Sequence, residues 1–311
     1  MASVLRDRVH EGRMGAGVYR GHGRRKPGGA ILKYFSVCSG IEAASCAWEP
    51  FGWEPVGFSE IEPFPSAVLA HRFPGVKNYG DMTKYKEWKD VGQFDVLVGG
   101  TPCQSFSVAG LRKGLDDPRG NLMLTFGAIA DYFKPSWIVW ENVPGVLSSN
   151  KGRDFGAFLG MLAELGYGFA YRVLDAQYYG VAQRRRRVFV VGYLGDWRRA
   201  AAVLFESESL CGHPAPLQGR TFFCWDTGVR TLDRNSKDNV LLTDNSVRFA
   251  TPREVERSQG FPDNWTRIPW RGSPAENCPD GPRYKACGNS MAVPVMRWIG
   301  ERIKALGLQR A

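Results

Sequence analysis

The sequence predicts an α/β protein, a parallel sheet covered by helices with a small irregular domain attached, and three observations predict it. Short apolar runs alternate with helix-like stretches from residue 31 to residue 195, as strands joined by crossover helices do. The first run ends in a Ser-Gly turn that opens a helix, the place where such sheets take nucleoside ligands. From about Asp196 to Pro282 proline, glycine, asparagine and aromatic residues are mixed and no long helix is evident.

Taken in order, residues 1–30 are rich in Arg and Gly without an apolar period and read as a basic, flexible lead-in. Strands follow at "ILKYFSVC", "EPVGFSE", "FDVLVGG", "SWIVWEN" and "RVFVVGYL". Helical periodicity marks "NLMLTFGAIADYF" and "DFGAFLGMLAEL"; in the latter Phe155, Phe158, Leu159, Leu162 and Leu165 share a face before Gly166 stops it. "TPREVERSQGF" is a short capped helix, with Thr251 as N-cap, Pro252 at the first position, Glu254 completing a capping box and Gly260 ending it. "GNSMAVPVMRWIGERIKALG" returns to a helical pattern. The expected domains are therefore 31–195 together with 283–311, and 196–282.

Composition bounds the function. With 311 residues, 43% hydrophobic and 23% charged, the chain has the mixture of a soluble globular protein. A net charge of +10 and an isoelectric point near 9.3 favour an acidic partner. Nucleic acid stands ahead of a membrane, because no apolar run approaches spanning length. No signal peptide is evident, and seven cysteines without a repeated CxxC spacing fit a reducing, cytoplasmic setting. Cys211, His213 and Cys224 lack a fourth ligand, so no metal is expected.

In "FSVCSGIEAASCAW" Ser39 and Gly40 form the strand-to-helix turn, and Glu60 follows twenty residues later, placed to bind ribose hydroxyls. A full GxGxxG is lacking, which disfavours a pyrophosphate cofactor. Asp81 of "GDMTK", after a third expected strand, can accept from an adenine amino group. S-adenosylmethionine, an adenosine without phosphate, suits this set, although turns alone explain Gly40 and Asp81 as well. In "VGGTPCQSF" the glycines let the chain turn at the strand's end, and Cys103 is either a buried inert thiol or a nucleophile presented by Pro102. Glu141 ends an apolar strand. In "QRRRRVF" alternation puts Gln183, Arg185 and Arg187 on one face and Arg184 and Arg186 on the other.

Together, "GGTPCQSFS", "WENVPG", "QRRRRVFVVG", "REVERSQGFPDNW" and "ACGNSMAVPV" occur in an order that resembles the DNA cytosine-5 methyltransferases, particularly the phage and prophage form. The resemblance runs from Tyr34 to Ile303, apart from a stretch near 200 to 247. It implies a Rossmann-like S-adenosylmethionine-dependent methyltransferase sheet with a target-recognition domain at 196–282. Cys103 is then the nucleophile that adds to carbon 6 of cytosine, Glu141 the acid at N3, Arg187 the contact to the base carbonyl and to that acid, and Arg185 a support. The cofactor set is Ser39, Gly40, Ile41, Glu60, Ile61, Asp81, Met82, Pro102, Asn289 and Ser290, with Gly288 beside them. One departure stands out: the family's Phe-x-Gly-x-Gly becomes Cys38-Ser39-Gly40-Ile41-Glu42, so a glutamate replaces the second glycine.

Such chemistry requires the base to be flipped out of the duplex. The loop after Cys103 has the glycine and charge of a lid, with Gln104, Ser107, Lys113 and Arg119 facing DNA. Arg220, Arg230 and Arg234 are available for guanine edges in a short recognition sequence. The expected partner is double-stranded DNA, the enzyme a monomer in the bacterial cytoplasm, phage or prophage encoded, with no restriction endonuclease indicated. An RNA (transfer RNA) cytosine-5 methyltransferase and a catalytically silent DNA-binding regulator are the alternatives.

Overall fold

Period-two alternation sorts the strands between two apolar cores. In β1 (Lys33–Val37), Tyr34 joins one core while Phe35 and Val37 join the other; in β3 (Val96–Gly99), Val96 and Val98 oppose Leu97; in β4 (Trp137–Asn142), Trp137 and Val139 oppose Ile138 and Trp140. Strands buried on both faces must be apolar throughout, so these are the runs that stand out in the sequence. The structure, a computed structural model, describes residues 31–102, 122–205, 240–243 and 246–307.

The first core is covered by α1 (Ala43–Trp48), α2 (Pro63–Arg72) and the C-terminal α8 (Val293–Leu306). On the second lie α3 (Leu122–Phe133) and α4 (Arg153–Glu164). With β2 (Glu54–Ser59), β5 (Tyr167–Asp175) and β6 (Arg186–Leu194), the strands form a six-stranded sheet ordered β2-β1-β3-β4-β6-β5. The pairs β1–β2, β1–β3 and β3–β4 are parallel. The chain leaves β1 to one side for β2 and later returns to its other side for β3. That reversal opens a crevice at the strands' C-terminal ends, where ligands of doubly wound sheets bind.

Several expectations need correction. The sheet is mixed, because β6 runs antiparallel to both β4 and β5. The edge strand β5 is absent from the expected strands because its sides are unevenly buried and it never forms a continuous apolar run. Asp81 follows no third strand: the preceding chain makes only an isolated parallel bridge, Phe58 to Asn78. The stretch after Asp196 begins with a helix, α5 (Trp197–Leu204), capped by Asp196 and packed on β5 and β6.

Beyond it, β7 (Val240–Thr243) and β8 (Ser246–Phe249) pair antiparallel. The helix α6 (Pro252–Ser258) carries the expected capping box between Thr251 and Glu254, and Gly260 turns the chain at φ 82. Val255, Phe261, Trp265 and Ile268 sit in the same core as α1 and α8. Arg72 of α2 donates to the carbonyls of Trp265 and Asn264 at 2.9 and 2.5 Å. The last expected helix is two: α7 (Asp280–Asn289) ends where "GNS" turns, and α8 begins at Val293. Among the described residues no helix is long and apolar enough to cross a membrane.

Candidate active site

The crevice at the β1/β3 switch is walled on one side by the loop that leaves β1. Cys38, Gly40 and Glu42 all take positive φ (48, 56 and 66), so the chain reverses within five residues. Backbone bonds fix it. The Ser39 N–H donates to the Ser59 carbonyl at 3.2 Å, the Gly40 N–H to Glu60 Oε2 at 2.7 Å, and the Ser39 hydroxyl to the Ser36 carbonyl at 2.9 Å. Glu60 also accepts from the Glu62 N–H at 2.7 Å, so its carboxylate is aimed before any ligand arrives. Asp81 accepts from the N–H and hydroxyl of Thr83, and the Cys38 thiol lies 3.5 Å from Met82 Sδ. Burial, with the charges of Glu60 and Asp81, pushes the Cys38 thiol up to about 12. This cysteine is therefore inert.

The other wall is made by the ends of β3 and β4. Gly99 and Gly100 do not take positive φ. They are required by close approach instead: a Cβ on Gly99 would meet Val37 Cγ2 at 2.5 Å and the Val37 carbonyl oxygen at 2.6 Å, and one on Gly100 would meet Glu141 Oε2 at 2.8 Å. This corrects the expectation that the two glycines serve a turn. Thr101 is buried; its hydroxyl accepts from the Trp140 indole at 2.9 Å and its carbonyl from the Asn142 amide at 3.0 Å. The chain is thus held up to Pro102, which is exposed.

Glu141, in β4, belongs to this second wall. Arg187 Nε lies 3.0 Å from Glu141 Oε1, and both side chains are largely buried. Burial holds the Glu141 carboxyl above the usual carboxylate range, with Arg187 and Arg185 opposing the shift. Arg185, 3% exposed, donates to the carbonyls of Gly288 and Ser290 at 3.1 and 2.6 Å. It ties the entry to β6 to the α7–α8 junction. Burial, then the neighbouring charge of Arg187, pushes its guanidinium down to about 9. Gln183 is fully buried on the same side, while Arg184 and Arg186 are exposed, so the arginine run does divide by face.

Of the residues the sequence singles out, Ser39, Gly40, Glu141, Asn289 and Ser290 line one cleft. Glu60 adjoins it through Gly40, and Met82 through Cys38. Ile41 does not face it: the side chain is fully buried in the core, and its carbonyl accepts from the Trp265 indole at 2.8 Å. Ile61 is 69% exposed at the end of β2. Glu42 and Met291 line the cleft without having been expected to. Cys103, Gln104, Ser107, Lys113 and Arg119, and Arg220, Arg230 and Arg234, lie outside the described residues, as do Cys211, His213 and Cys224. Among the described residues no cluster of His, Cys, Asp and Glu could hold a metal.

The profile described as C-5 cytosine-specific DNA methylase matches residues 32–210 and 224–305. The chain belongs to this family. Among its relatives, the protein named DNA N-6-adenine-methyltransferase of Escherichia phage P1 is 35% identical over an alignment of 460 residues, covering 88% of this chain and 61% of that protein. The chain thus spans under two thirds of that relative. The type II methyltransferase M2.BsuMI of Bacillus subtilis (strain 168) is 31% identical over 300 residues, 88% of this chain and 75% of its own. In three dimensions the S. pombe Dnmt2 methyltransferase superposes with a TM-score of 0.63 at 16% identity, covering 89% of this chain and all of that one. This last likeness speaks to the fold.

Proposed function

We propose that this chain transfers a methyl group from S-adenosylmethionine to carbon 5 of cytosine in double-stranded DNA. The observation that carries the reading is the buried Glu141–Arg187 pair at the edge of the switch-point cleft, beside Gly100 of the segment that leads into Cys103. The cleft fits the cofactor's chemistry. Its lining includes the carboxylates Glu42 and Glu141 and no lysine or arginine, which suits a cationic nucleoside and not a phosphate. Glu60 would hold the ribose, Asp81 and Met82 would flank the adenine, and Asn289 and Ser290 would close the pocket. When bound, S-adenosylmethionine supplies the electrophilic methyl group.

The chain's own residues supply the rest. The Cys103 thiolate adds to carbon 6 of the flipped base, which pushes electrons toward N3 and makes carbon 5 nucleophilic. Glu141, its carboxyl raised by burial, donates its proton to N3 as that charge develops. Arg187 orients Glu141 and takes the base carbonyl, and Arg185 holds the α7–α8 junction against the site. After methyl transfer a water takes the carbon 5 proton, the Cys103 thiolate is expelled, and N3 returns its proton to Glu141, which restores the aromatic ring. We place target reading in residues 196–282, and the basic charge of +10 favours the phosphate backbone.

The phage P1 relative names adenine, so methylation at adenine N6 is the second reading. Tritiated methyl transfer to duplex DNA and to transfer RNA, followed by nucleoside mass spectrometry, separates the possibilities. We expect 5-methylcytosine in DNA, abolished by Cys103→Ser. N6-methyladenine, or incorporation into transfer RNA alone, overturns the proposal.

A further inference from the structure

Two buried glutamates face the cleft, and only one has a cationic partner. Glu141 is matched by Arg187. Glu42 is 1% exposed; its Oε1 accepts from the Ser45 N–H at 3.1 Å, and its Oε2 accepts no hydrogen bond. No lysine, arginine or histidine lines the cleft beside it. Helix capping does not explain this side chain, because a cap uses one oxygen and a shorter Ser, Asp or Asn provides it. The backbone does not favour it either: φ is 66, where glycine is relaxed and a side chain is strained. A strained position carrying a buried, half-satisfied carboxylate calls for a cation from outside the chain.

We propose that Glu42 binds the α-ammonium group at the amino-acid end of the cofactor, an inference that rests on the S-adenosylmethionine reading above. The loop itself sets the order along the ligand. Gly40 holds Glu60, the ribose carboxylate, and Glu42 lies two residues further on, toward the start of α1. The methyl-bearing sulfur must face the base side, where Gly100 and Glu141 lie, which leaves the amino-acid end for Glu42. Where the family's motif has a second glycine, this chain therefore offers a charge-assisted contact.

The contact has a proton signature. Burial pushes the Glu42 carboxyl up to about 7, hydrogen bonds from Ser36 and Ser45 oppose the shift, and the charge of Glu60 adds to it. The other ionisable groups nearby are Cys38 at the end of β1, the Glu141–Arg187 pair across the cleft, and Glu49, Arg72 and Arg297 gathered around Cys46 in the last turn of α1. Asn289, Ser290 and Met291, from the α7–α8 junction, carry no charge. A cation beside Glu42 favours its ionised form, so binding an ammonium ligand releases a proton near neutral pH.

Titration calorimetry of the full chain tests this with S-adenosylmethionine, S-adenosylhomocysteine and methylthioadenosine, which lacks the amino-acid end. Glu42→Gln is expected to weaken the first two by about tenfold or more and to leave methylthioadenosine unchanged. Glu42→Gly, which relaxes the backbone, is expected to give the same pattern and guards against a folding artefact. In the unsubstituted protein, S-adenosylhomocysteine should release a proton in buffers near pH 7 and methylthioadenosine none, a readout that needs no variant. A loss confined to S-adenosylmethionine would mean that Glu42 senses the sulfonium, and would overturn the assignment. So would equal losses for all three ligands, or no loss at all. If the unsubstituted protein binds none of the three, the cofactor reading itself fails, and this inference with it.

Discussion

The two walls of the cleft are built by different physics. The wall after β1 is made of backbone: three left-handed residues, main-chain hydrogen bonds and a carboxylate, Glu60, occupied by two N–H groups. The wall after β3 and β4 is made of buried side-chain charge, with Glu141, Arg187 and Arg185 packed where water is scarce. A backbone wall fixes shape and tolerates changes of side chain, whereas a charged wall fixes protonation state and does not. Shape is what a cofactor needs; a proton held at the right atom is what a reacting base needs.

The charged wall is most sensitive at Glu141. Glu141→Gln keeps the size of the side chain and removes the proposed proton donor, so kcat for methyl transfer is expected to fall by about 10²–10⁴. Gly100→Ala attacks the same wall by packing. Its Cβ would stand 2.8 Å from Glu141 Oε2, and Arg187 holds that carboxylate from the other side. We expect a loss of about 1–3 kcal/mol in stability by urea titration, with methyl transfer reduced alongside. Unchanged activity would show that the glutamate is free to move.

Glu42 is the exception that sharpens the contrast, a buried charge lodged in the backbone wall. Its folded-state value of about 7 lies above the model-peptide 4.5, so the folded protein binds this proton more tightly than the unfolded chain does. The stability that Glu42 contributes is full below about pH 4.5 and is lost as pH rises through about 7. Glu42→Gln should therefore stabilise the ligand-free protein by about 1–2 kcal/mol above pH 7 and by little at low pH, read as melting temperature against pH. Equal effects at both ends of the range would mean that the carboxyl titrates normally.

What the sequence discloses follows the same division. The strands β1, β3 and β4 are legible because burial on both faces forces uninterrupted apolar runs, while the edge strand β5, half open to solvent, leaves no such run. Glu141 and Arg187 are far apart in sequence, and only the order of the motifs suggests that they meet at 3.0 Å. The Arg185 contacts to Gly288 and Ser290, across 103 and 105 residues, have no local signal at all. Glu42 is visible as a departure from the family motif, but its burial and its unpartnered oxygen are properties of the packed loop. Gly100 reads as a turn residue because a glycine required by a neighbour's side chain and a glycine required by a turn are spelled with the same letter.

Gly40 provides the smallest test and the most discriminating one for the backbone wall. Unlike Gly100, it has no atom within 4 Å of an added Cβ, yet its φ of 56 favours glycine. Gly40→Ala should therefore cost only about 1 kcal/mol of stability, the conformational penalty alone. The methyl group would project from a residue that lines the cleft, so cofactor affinity should fall by more than the stability does. A variant that melts about 1–2 °C lower yet binds S-adenosylhomocysteine as tightly as before would show that Gly40 serves the reversal of the chain and not the approach of the ligand.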